Sequence, residues 1–275
     1  MSDDAPLLVE ESGGVAWLTL NRPERLNALN PALVDALRGY FEGLNSRSSA
    51  RVVVLQAAGR AFCAGLDIKD HVERVERVDG SDRGQNLGPE AGMDRQHAIK
   101  AIFQAMRRCP QPIIGIVQGA AAGGGFTLAL ACDLRLATPD ARFNAAFIRI
   151  GLSGCDMGIS WFLPRMVGAS VASELILTGR FLHAPRALAL GLVSQVGELP
   201  ALQAEARALA ADMLGATPLA LRMTKECLTH SIDAPSLDAA MAMEDRNQIL
   251  CAQSGDFREG MAAFLEKRPP AYALK

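Results

Sequence analysis

The sequence lacks the features that would indicate a metalloprotein or a nucleic-acid-binding protein. It has four histidines and six cysteines, with no Cys-x-x-Cys pair and no spacing typical of metal ligands. Lys and Arg do not outnumber Asp and Glu, and the net charge is -2, so the chain has no broad basic surface for phosphate groups. We therefore expect no metal site and no nucleic-acid partner.

Long apolar runs are also missing. The acidic N-terminus, MSDDAPLLVEESGG, has no basic segment before an apolar stretch, and Gly, Gln or charged residues interrupt the later stretches before they could cross a bilayer. We expect neither a secretory signal nor a membrane span, and we expect the cysteines to be reduced, mostly buried thiols of a cytoplasmic protein. With 275 residues, 49% of them hydrophobic, the chain can bury a full core.

Strand and helix patterns alternate through the first 200 residues. Strands are predicted at 15–20, 51–56, 112–117 and 134–137, and helices near Pro31, at 96–108 and from Gly124. This alternation predicts an α/β layered core at 1–200. The charged, glycine-bearing segment 71–95 predicts a mobile surface loop. Residues 201–275 show only helical patterns, so this C-terminal region must pack its apolar faces on the core or on a neighbouring subunit.

Two glycine-bearing turns carry the clearest chemical pattern. GRAFCAGLDI at 59–68 follows a buried strand, and QGAAAGGGF at 118–126 follows another and opens a helix, whose first N–H groups are unpaired and partly positive. Two such turns facing each other could direct two N–H donors at one oxygen, which is an oxyanion hole. The second turn has neither the Lys-Ser/Thr ending of a P-loop nor the G-x-G-x-x-G spacing of a dinucleotide site.

Five segments, in order along the chain, resemble the enoyl-CoA hydratase/isomerase (crotonase) family. The resemblance implies an α/β fold built as a spiral of strand-strand-helix repeats with a helical C-terminal trimerisation region. It also implies an enzyme that stabilises the enolate of an acyl-CoA thioester, with coenzyme A as part of the substrate and no separate cofactor. The matching segments are NRPERLNALN at 21–30, GRAFCAGLDIK at 59–69, QGAAAGGGFTLALACDLRLAT at 118–138, LTGRFLHAPRALALGLVSQV at 177–196 and FREGMAAFLEKRPP at 257–270.

The resemblance further assigns site residues. The backbone N–H groups of Leu66 and Gly124 would be the oxyanion donors, and the assembly would be a homotrimer or a dimer of trimers. Lys267 of a neighbouring subunit would contact a phosphate group. The remaining contacts to coenzyme A would come from two loops, through Arg25, Leu26, Ala28, Ala64, Asp67 and Ile68.

The sequence departs from the family where hydratases carry two glutamates that position water. Thr127 and Phe147 stand at these places, and neither can serve as an efficient general base. Asp156, in the loop GLSGCDMGISWFLPR, resembles the aspartate of dienoyl-CoA isomerases and is the predicted acid/base. Its apolar surroundings predict a raised pKa, and the alternative is a loop-capping aspartate. Isomerisation, hydrolysis and carbon–carbon cleavage stay open, as does a non-catalytic acyl-CoA-binding homologue.

Overall fold

The computed structural model describes residues 5–44, 50–69 and 89–272. Strands and helices alternate first and helices alone follow, which confirms the predicted α/β class and helical C-terminal region. The strands are β1 (Leu7–Ser12), β2 (Val15–Leu20), β3 (Val52–Ala57), β4 (Ile113–Val117), β5 (Ala120–Ala122), β6 (Leu134–Ala137), β7 (Arg142–Asn144), β8 (Leu182–His183) and β9 (Gln195–Val196). The helices are α1 (Pro31–Gly43), α2 (Pro89–Arg108), α3 (Gly124–Ala131), α4 (Ile159–Val167), α5 (Ala169–Thr178), α6 (Ala184–Ala189), α7 (Leu199–Leu214), α8 (Pro218–Ser231), α9 (Leu237–Ala252) and α10 (Gly255–Glu266).

The main sheet places the two glycine-bearing turns side by side. In the described part of the chain its strand order is β1-β2-β3-β4-β6-β9, parallel throughout except for the β1-β2 pair, while β5, β7 and β8 form a second sheet. The four predicted strands are confirmed as β2, β3, β4 and β6. Because β3 and β4 are parallel neighbours, the turns that follow them leave from the same edge of the sheet.

Helix α2 begins earlier than the sequence pattern indicated. The prediction was a helix at 96–108 after a surface loop at 71–95, but α2 already begins at Pro89. Residues 90–94 are exposed, so no apolar periodicity marks these first turns in the sequence. The rest of the predicted loop, up to residue 88, lies outside the described residues.

Helix α3 lies directly on the turn at 59–68 because its second residue has no side chain. A Cβ atom on Gly125 would lie 2.0 Å from the carbonyl oxygen of Cys63, far inside van der Waals contact. Both α3 and Cys63 are buried, so neither can move away without disturbing the core. The distance between the two segments therefore depends on a glycine at this position.

We expect Gly125→Ala to lower the free energy of unfolding by about 3 kcal/mol, the upper end of the usual cost of overpacking, because the added methyl meets rigid backbone. The matched control is Gly39→Ala on the exposed side of α1, where the added methyl meets nothing within 4 Å. That variant should gain about 0.5–1 kcal/mol from helix propensity. Urea unfolding measures both. A Gly125→Ala midpoint equal to that of the unmodified protein would contradict the expectation.

The C-terminal helices differ in how well they are covered. Helix α7 packs Leu202, Ala206 and Ala210 against the outer face of the main sheet. The division at residue 200 falls within α7 and stays a prediction. Helices α8 to α10 leave large apolar side chains exposed, and such patches mark interaction surfaces. They are Leu228, Ile232, Leu237, Met241, Ile249, Leu250, Phe257, Met261, Phe264 and Leu265.

No helix in the described ranges is both long enough and apolar enough to cross a membrane. All six cysteines are free thiols, and only Cys63, Cys109 and Cys132 are buried, which is half of them rather than the predicted majority. Burial raises the pKa of the Cys63 and Cys132 thiols to about 12, which leaves both protonated and unreactive at neutral pH. Cys155 differs from them, because it is exposed.

Candidate active site

The loop after β2 and the turn after β3 are hydrogen-bonded to each other. The Leu29 N–H donates to the Gly65 carbonyl oxygen at 2.7 Å, and the Asp67 N–H donates to the Leu29 carbonyl oxygen at 3.1 Å. The Ala64 N–H donates to the Leu26 carbonyl oxygen at 3.0 Å. These bonds extend the parallel pairing of β2 and β3 beyond the sheet and form one continuous wall.

The buried side chain of Asn27 fixes the shape of that wall. Its Nδ2 donates to the carbonyl oxygens of Ala58 and Ala61, both at 2.8 Å, and its Oδ1 accepts from the Arg22 N–H at 2.7 Å. Leu26 and Asn27 both have left-handed backbone, with φ of 51° and 54°. Such conformations cost energy in residues other than glycine, and the three bonds of the amide offset that cost.

The turn after β4 crosses this wall at very short range. The Cys63 N–H donates to the Ala120 carbonyl oxygen, and the Ala122 N–H donates back to the Cys63 carbonyl oxygen, each at 3.0 Å. Gly65 has φ of 92°, and a Cβ atom on it would lie 2.7 Å from the Ala122 oxygen and 3.4 Å from the Gly124 nitrogen. Residue 66 therefore follows a glycine that contacts the beginning of α3.

Two backbone donors remain available at this crossing. Gly124 is the first residue of α3, so its N–H has no acceptor within the helix, and the helical bonds begin with the Thr127 N–H and the Gly123 carbonyl oxygen at 3.1 Å. Among the described residues, neither the Gly124 N–H nor the Leu66 N–H donates to a protein acceptor. A pair of free N–H groups at adjacent backbone positions can stabilise negative charge on a carbonyl oxygen.

Asp67 has internal partners. Its carboxylate is buried and accepts from the Arg22 guanidinium at 3.0 Å and from the Arg25 guanidinium at 3.4 Å. Arg22 also donates to the Ala28 carbonyl oxygen. These ion pairs join the two loops, so any contact of Asp67 with coenzyme A would come from its backbone.

The other predicted contacts to coenzyme A lie in two places. Leu26, Ala28 and Ala64 belong to the hydrogen-bonded wall, and Ile68 at its end is 51% exposed, which leaves an apolar surface for a ligand. Lys267 caps the C-terminus of α10 with φ of 53°. No contact joins Lys267 to the wall in the described parts of this chain, and its predicted role is as a residue of a neighbouring subunit.

The two positions that hold glutamates in hydratases are filled by buried, uncharged side chains. The Thr127 hydroxyl lies within α3, 3.5 Å from the Gly123 carbonyl oxygen. The Phe147 ring lies 3.3 Å from where a Cβ atom on Gly123 would be. Both residues therefore stand beside the beginning of α3, where they offer no carboxylate for proton transfer.

Asp156 is next in the chain to Met157, whose side chain lies against the same helix terminus. It lies just before α4, where its Oδ1 accepts from the Met157 N–H at 2.7 Å and from the Gln96 side chain. Burial raises the pKa of Asp156 above its ordinary value, and these two donors oppose the increase. The bond to Met157 also fits the loop-capping role that the sequence left open, and a cap and an acid/base can be the same residue.

Met157 links this loop to the beginning of α3. It has left-handed backbone with φ of 54°, which for a large side chain is uncommon. Its sulfur lies 3.0 Å from where a Cβ atom on Gly124 would be. Backbone strain at a residue between a carboxylate and a helix N-terminus is typical of functional sites.

A cavity of about 960 Å³ opens beside this loop. Asp156 and Met157 line it, whereas Leu66 and Gly124 do not, and the Met157 side chain extends from the cavity to Gly124. Its other walls come from α2, the beginning of α4 and α8. A cavity of this size can hold the acyl part of a thioester.

Gln96 is a partner of Asp156 that the sequence did not reveal. It lies 60 positions before Asp156, on a helix whose first turns show no apolar pattern, so no local signal connects the two. Asp133, by contrast, anchors the structure: it accepts from the Ile113 N–H at 2.8 Å and pairs with Arg107 and Lys225.

We expect Gln96→Leu to raise the pKa of Asp156 further, because the substitution removes a donor that favours the ionised carboxylate. The carboxyl ¹³C shift of Asp156, followed against pH, measures this directly, and the acidic limb of the turnover profile should move to higher pH with it. Gln104→Leu makes the same change two turns further along α2. It should change neither the pKa of Asp156 nor the acidic limb of the turnover profile. A titration of Asp156 that is identical in both variants would count against a positioning role for Gln96.

Comparison with known proteins identifies the family and the fold. The family model described as enoyl-CoA hydratase/isomerase matches residues 10–275. Relatives include 1,2-epoxyphenylacetyl-CoA isomerase of Escherichia coli, 35% identical over 95% of this chain and 96% of that protein, and (E)-benzylidenesuccinyl-CoA hydratase of Thauera aromatica, 33% identical over 97% and 98%. The crystal structure of enoyl-CoA hydratase from Bacillus anthracis superposes with a TM-score of 0.88 at 31% identity, covering 98% of this chain and 100% of that one.

The chain therefore belongs to the enoyl-CoA hydratase/isomerase family, and it is an enzyme of the hydratase/isomerase type. The family and the crotonase fold expected from the five sequence segments are confirmed. An acyl-CoA substrate agrees with this membership.

Proposed function

We propose that this enzyme moves a proton on an acyl-CoA thioester and thereby shifts a double bond, with Asp156 as the acid/base. One observation carries the proposal: Asp156 accepts from the N–H of Met157, whose side chain lies against Gly124 at the beginning of α3, and Thr127 and Phe147 beside that terminus offer no carboxylate. Hydration needs a positioned water and a carboxylate to deprotonate it. A double-bond shift needs a single base that takes a proton and returns it.

In the proposed reaction the thioester oxygen accepts hydrogen bonds from the N–H groups of Leu66 and Gly124. Asp156 removes a proton from a carbon of the acyl chain, and the electron pair moves towards the thioester to give an enolate, whose negative oxygen stays bound by the two donors. The protonated Asp156 then returns the proton to another carbon of the chain. No atom is gained or lost, so coenzyme A as part of the substrate is the only cofactor group that the reaction requires.

The raised pKa of Asp156 suits this cycle. A carboxylate whose pKa is far below 7 would be too weak a base to remove a proton from the acyl chain. Partial burial raises the pKa of Asp156 towards the working pH. The hydrogen bonds from Gln96 and the Met157 N–H keep it sufficiently ionised to act as the base. The same residue can therefore serve both half-reactions.

The test is a panel of unsaturated acyl-CoA thioesters incubated in D₂O and followed by mass spectrometry and NMR. We expect exchange of carbon-bound protons and double-bond shifts on the preferred substrate, with hydration of crotonyl-CoA weak or absent. Rapid hydration of crotonyl-CoA would contradict the assignment. Tight binding of thioesters with no exchange on any member of the panel would favour the alternative, a non-catalytic acyl-CoA-binding homologue.

We also infer a homotrimer or a dimer of trimers. The apolar side chains exposed on α8 to α10 support this, since Leu237 and Phe264 are 74% and 79% exposed in the single chain. Light scattering coupled to gel filtration at micromolar concentration should give three or six times the mass of the chain. Replacing both Leu237 and Phe264 with Asp should lower that mass, whereas a monomeric unmodified protein would refute the inference.

A further inference from the structure

One face of α2 forms a wall of the cavity from Gln96 to Arg108. Gln96, Lys100, Gln104 and Arg107 all line it, at spacings of four, four and three residues, which place them on one side of the helix. Gln96 marks the reactive end, because it binds Asp156. With a rise of about 1.5 Å per residue, Lys100 lies roughly 6 Å further along the cavity wall than Gln96.

The cavity has more positive than negative side chains. Three acidic residues line it, and two of these are already paired: Asp233 with Arg165 at 2.7 Å and Glu226 with Arg246 at 3.2 Å. The basic residues that line it are Lys100, Arg107, Arg108, Arg222 and Lys225.

Two of these basic residues share one counter-ion. Arg107 and Lys225 both pair with one carboxylate, Asp133, at 3.1 Å and 2.9 Å. Lys100 has no hydrogen bond or ion pair with any residue in the described ranges. The ammonium group of Lys100 lies one helical turn along α2 from Gln96, which binds Asp156. An unpaired ammonium at this place can bind a second anionic group of a ligand.

Apolar side chains lie between these charges. Phe103, Phe162 and Trp161 line the same cavity, and Trp161 is stacked under the Arg165 guanidinium at 4.4 Å, which holds its ring in place. These surfaces can cover the methylene groups of a chain that joins a thioester to a terminal charge. A cavity that has apolar side chains among its walls and, within the described residues, an ammonium group without a counter-ion at Lys100 matches an acyl group with a carboxylate at its far end.

We propose that the cavity is an acyl subsite for dicarboxylic acyl groups, in which Lys100 binds the terminal carboxylate. This rests on the proposed function, since it takes the thioester to be held between Leu66 and Gly124. The spacing of Gln96 and Lys100 selects a short chain, with its second carboxylate about one helical turn beyond the carbon that faces Asp156.

The experiment uses saturated thioesters, so that binding is measured without turnover. Isothermal titration compares adipoyl-CoA, which ends in a carboxylate, with hexanoyl-CoA, which has the same chain length and no charge. We expect adipoyl-CoA to bind roughly tenfold more tightly, because a hydrogen-bonded charge pair at a partly covered site contributes on this order. The preference should shrink as salt is added.

Three variants locate the effect. Lys100→Met should abolish the preference for adipoyl-CoA while leaving hexanoyl-CoA binding unchanged, and Lys100→Arg should retain most of it. Arg38→Met removes one exposed positive charge from α1 and controls for net charge. It should not change the binding of either thioester. Lys100 is exposed, so the variant should fold normally, and its melting temperature checks this.

Each other outcome points to a specific failure. Equal binding of the two thioesters to the unmodified protein, or a preference that survives in Lys100→Met, overturns the subsite. Weaker binding of coenzyme A alone by Lys100→Met also overturns it, since Lys100 would then contact a phosphate group of the coenzyme. If neither thioester binds the unmodified protein, the proposed function itself fails.

Discussion

Replacing Gly124 with proline is expected to reduce turnover by about 10²–10³-fold, because it deletes one of the two donors that would bind the enolate oxygen. The loss corresponds to about 2.7–4 kcal/mol of transition-state stabilisation. Proline is otherwise suited to the first position of a helix, where its missing N–H has no helical acceptor. The helix should therefore form while the donor is lost.

The matched control is Gly124→Ala. An added Cβ meets the Leu29 Cδ1 and the Met157 sulfur, each at 3.0 Å, and both are the ends of flexible side chains. Alanine and proline share this contact, but alanine keeps the N–H. Steady-state rates on the preferred thioester compare them. If both variants lose activity to the same extent, the effect is steric and the Gly124 N–H is not a donor in the reaction.

Asp156→Asn is expected to lower turnover by about 10²–10⁴-fold and, at the same time, to make the protein more stable at neutral pH. Burial raises the pKa of Asp156, so the folded state disfavours the ionised carboxylate relative to the unfolded chain. Asparagine removes that penalty, and its side-chain oxygen can still accept from Gln96 and the Met157 N–H. Active sites often carry such a conflict between stability and activity.

The stability gained by Asp156→Asn should depend on pH. When the pKa of a carboxyl group is higher in the folded than in the unfolded protein, the folded state is favoured most at pH values below the unfolded pKa. This stabilisation is lost as the pH rises through the pKa of the folded state. The stability gained by Asp156→Asn should therefore be present at pH 7 and vanish at about pH 3, below the ordinary pKa of 3.8. Urea unfolding at both pH values measures it. A variant that is less stable than the unmodified protein at pH 7 would contradict the expectation.

Asp133→Asn provides the contrasting case. Asp133 is the shared counter-ion of Arg107 and of Lys225, which is only 5% exposed. Removing that charge leaves a buried ammonium without a carboxylate, so this variant should lose stability at neutral pH. Both substitutions replace an aspartate with an asparagine. Changes of opposite sign in the free energy of unfolding would distinguish Asp156, whose charge burial disfavours, from Asp133, whose charge stabilises the fold.

The parts of the fold that the sequence predicted have strong local signals. β3 and β4 are continuous apolar runs that are buried on both faces, and α1 begins with Asn30 before Pro31, where the Asn30 side chain accepts from the Leu33 N–H at 3.0 Å. Very short strands such as β8 and β9 have no such signal, because two residues cannot establish a period. Their pairing depends on tertiary contacts.

The candidate site divides in the same way. Gly65 and Gly124 could be recognised because close backbone approach requires glycine, and the segments around them resemble one family. The partners of Asp67 and Asp156 could not, since Arg22 and Gln96 lie 45 and 60 positions away along the chain. Side-chain contacts over such separations depend on how whole loops pack, and a single sequence contains no local pattern for them.

The crossing of the two turns also bears on the order of events in folding. The free donors exist only where the wall made by 21–29 and 59–68 meets the segment 118–125, and the hydrogen bonds of Cys63 with Ala120 and Ala122 close this crossing. Closure requires β2, β3 and β4 to be aligned first, and pairings between distant parts of a chain form slowly. A refolding chain should therefore regain its helical signal before it can bind a thioester, so thioester binding would report the completed sheet.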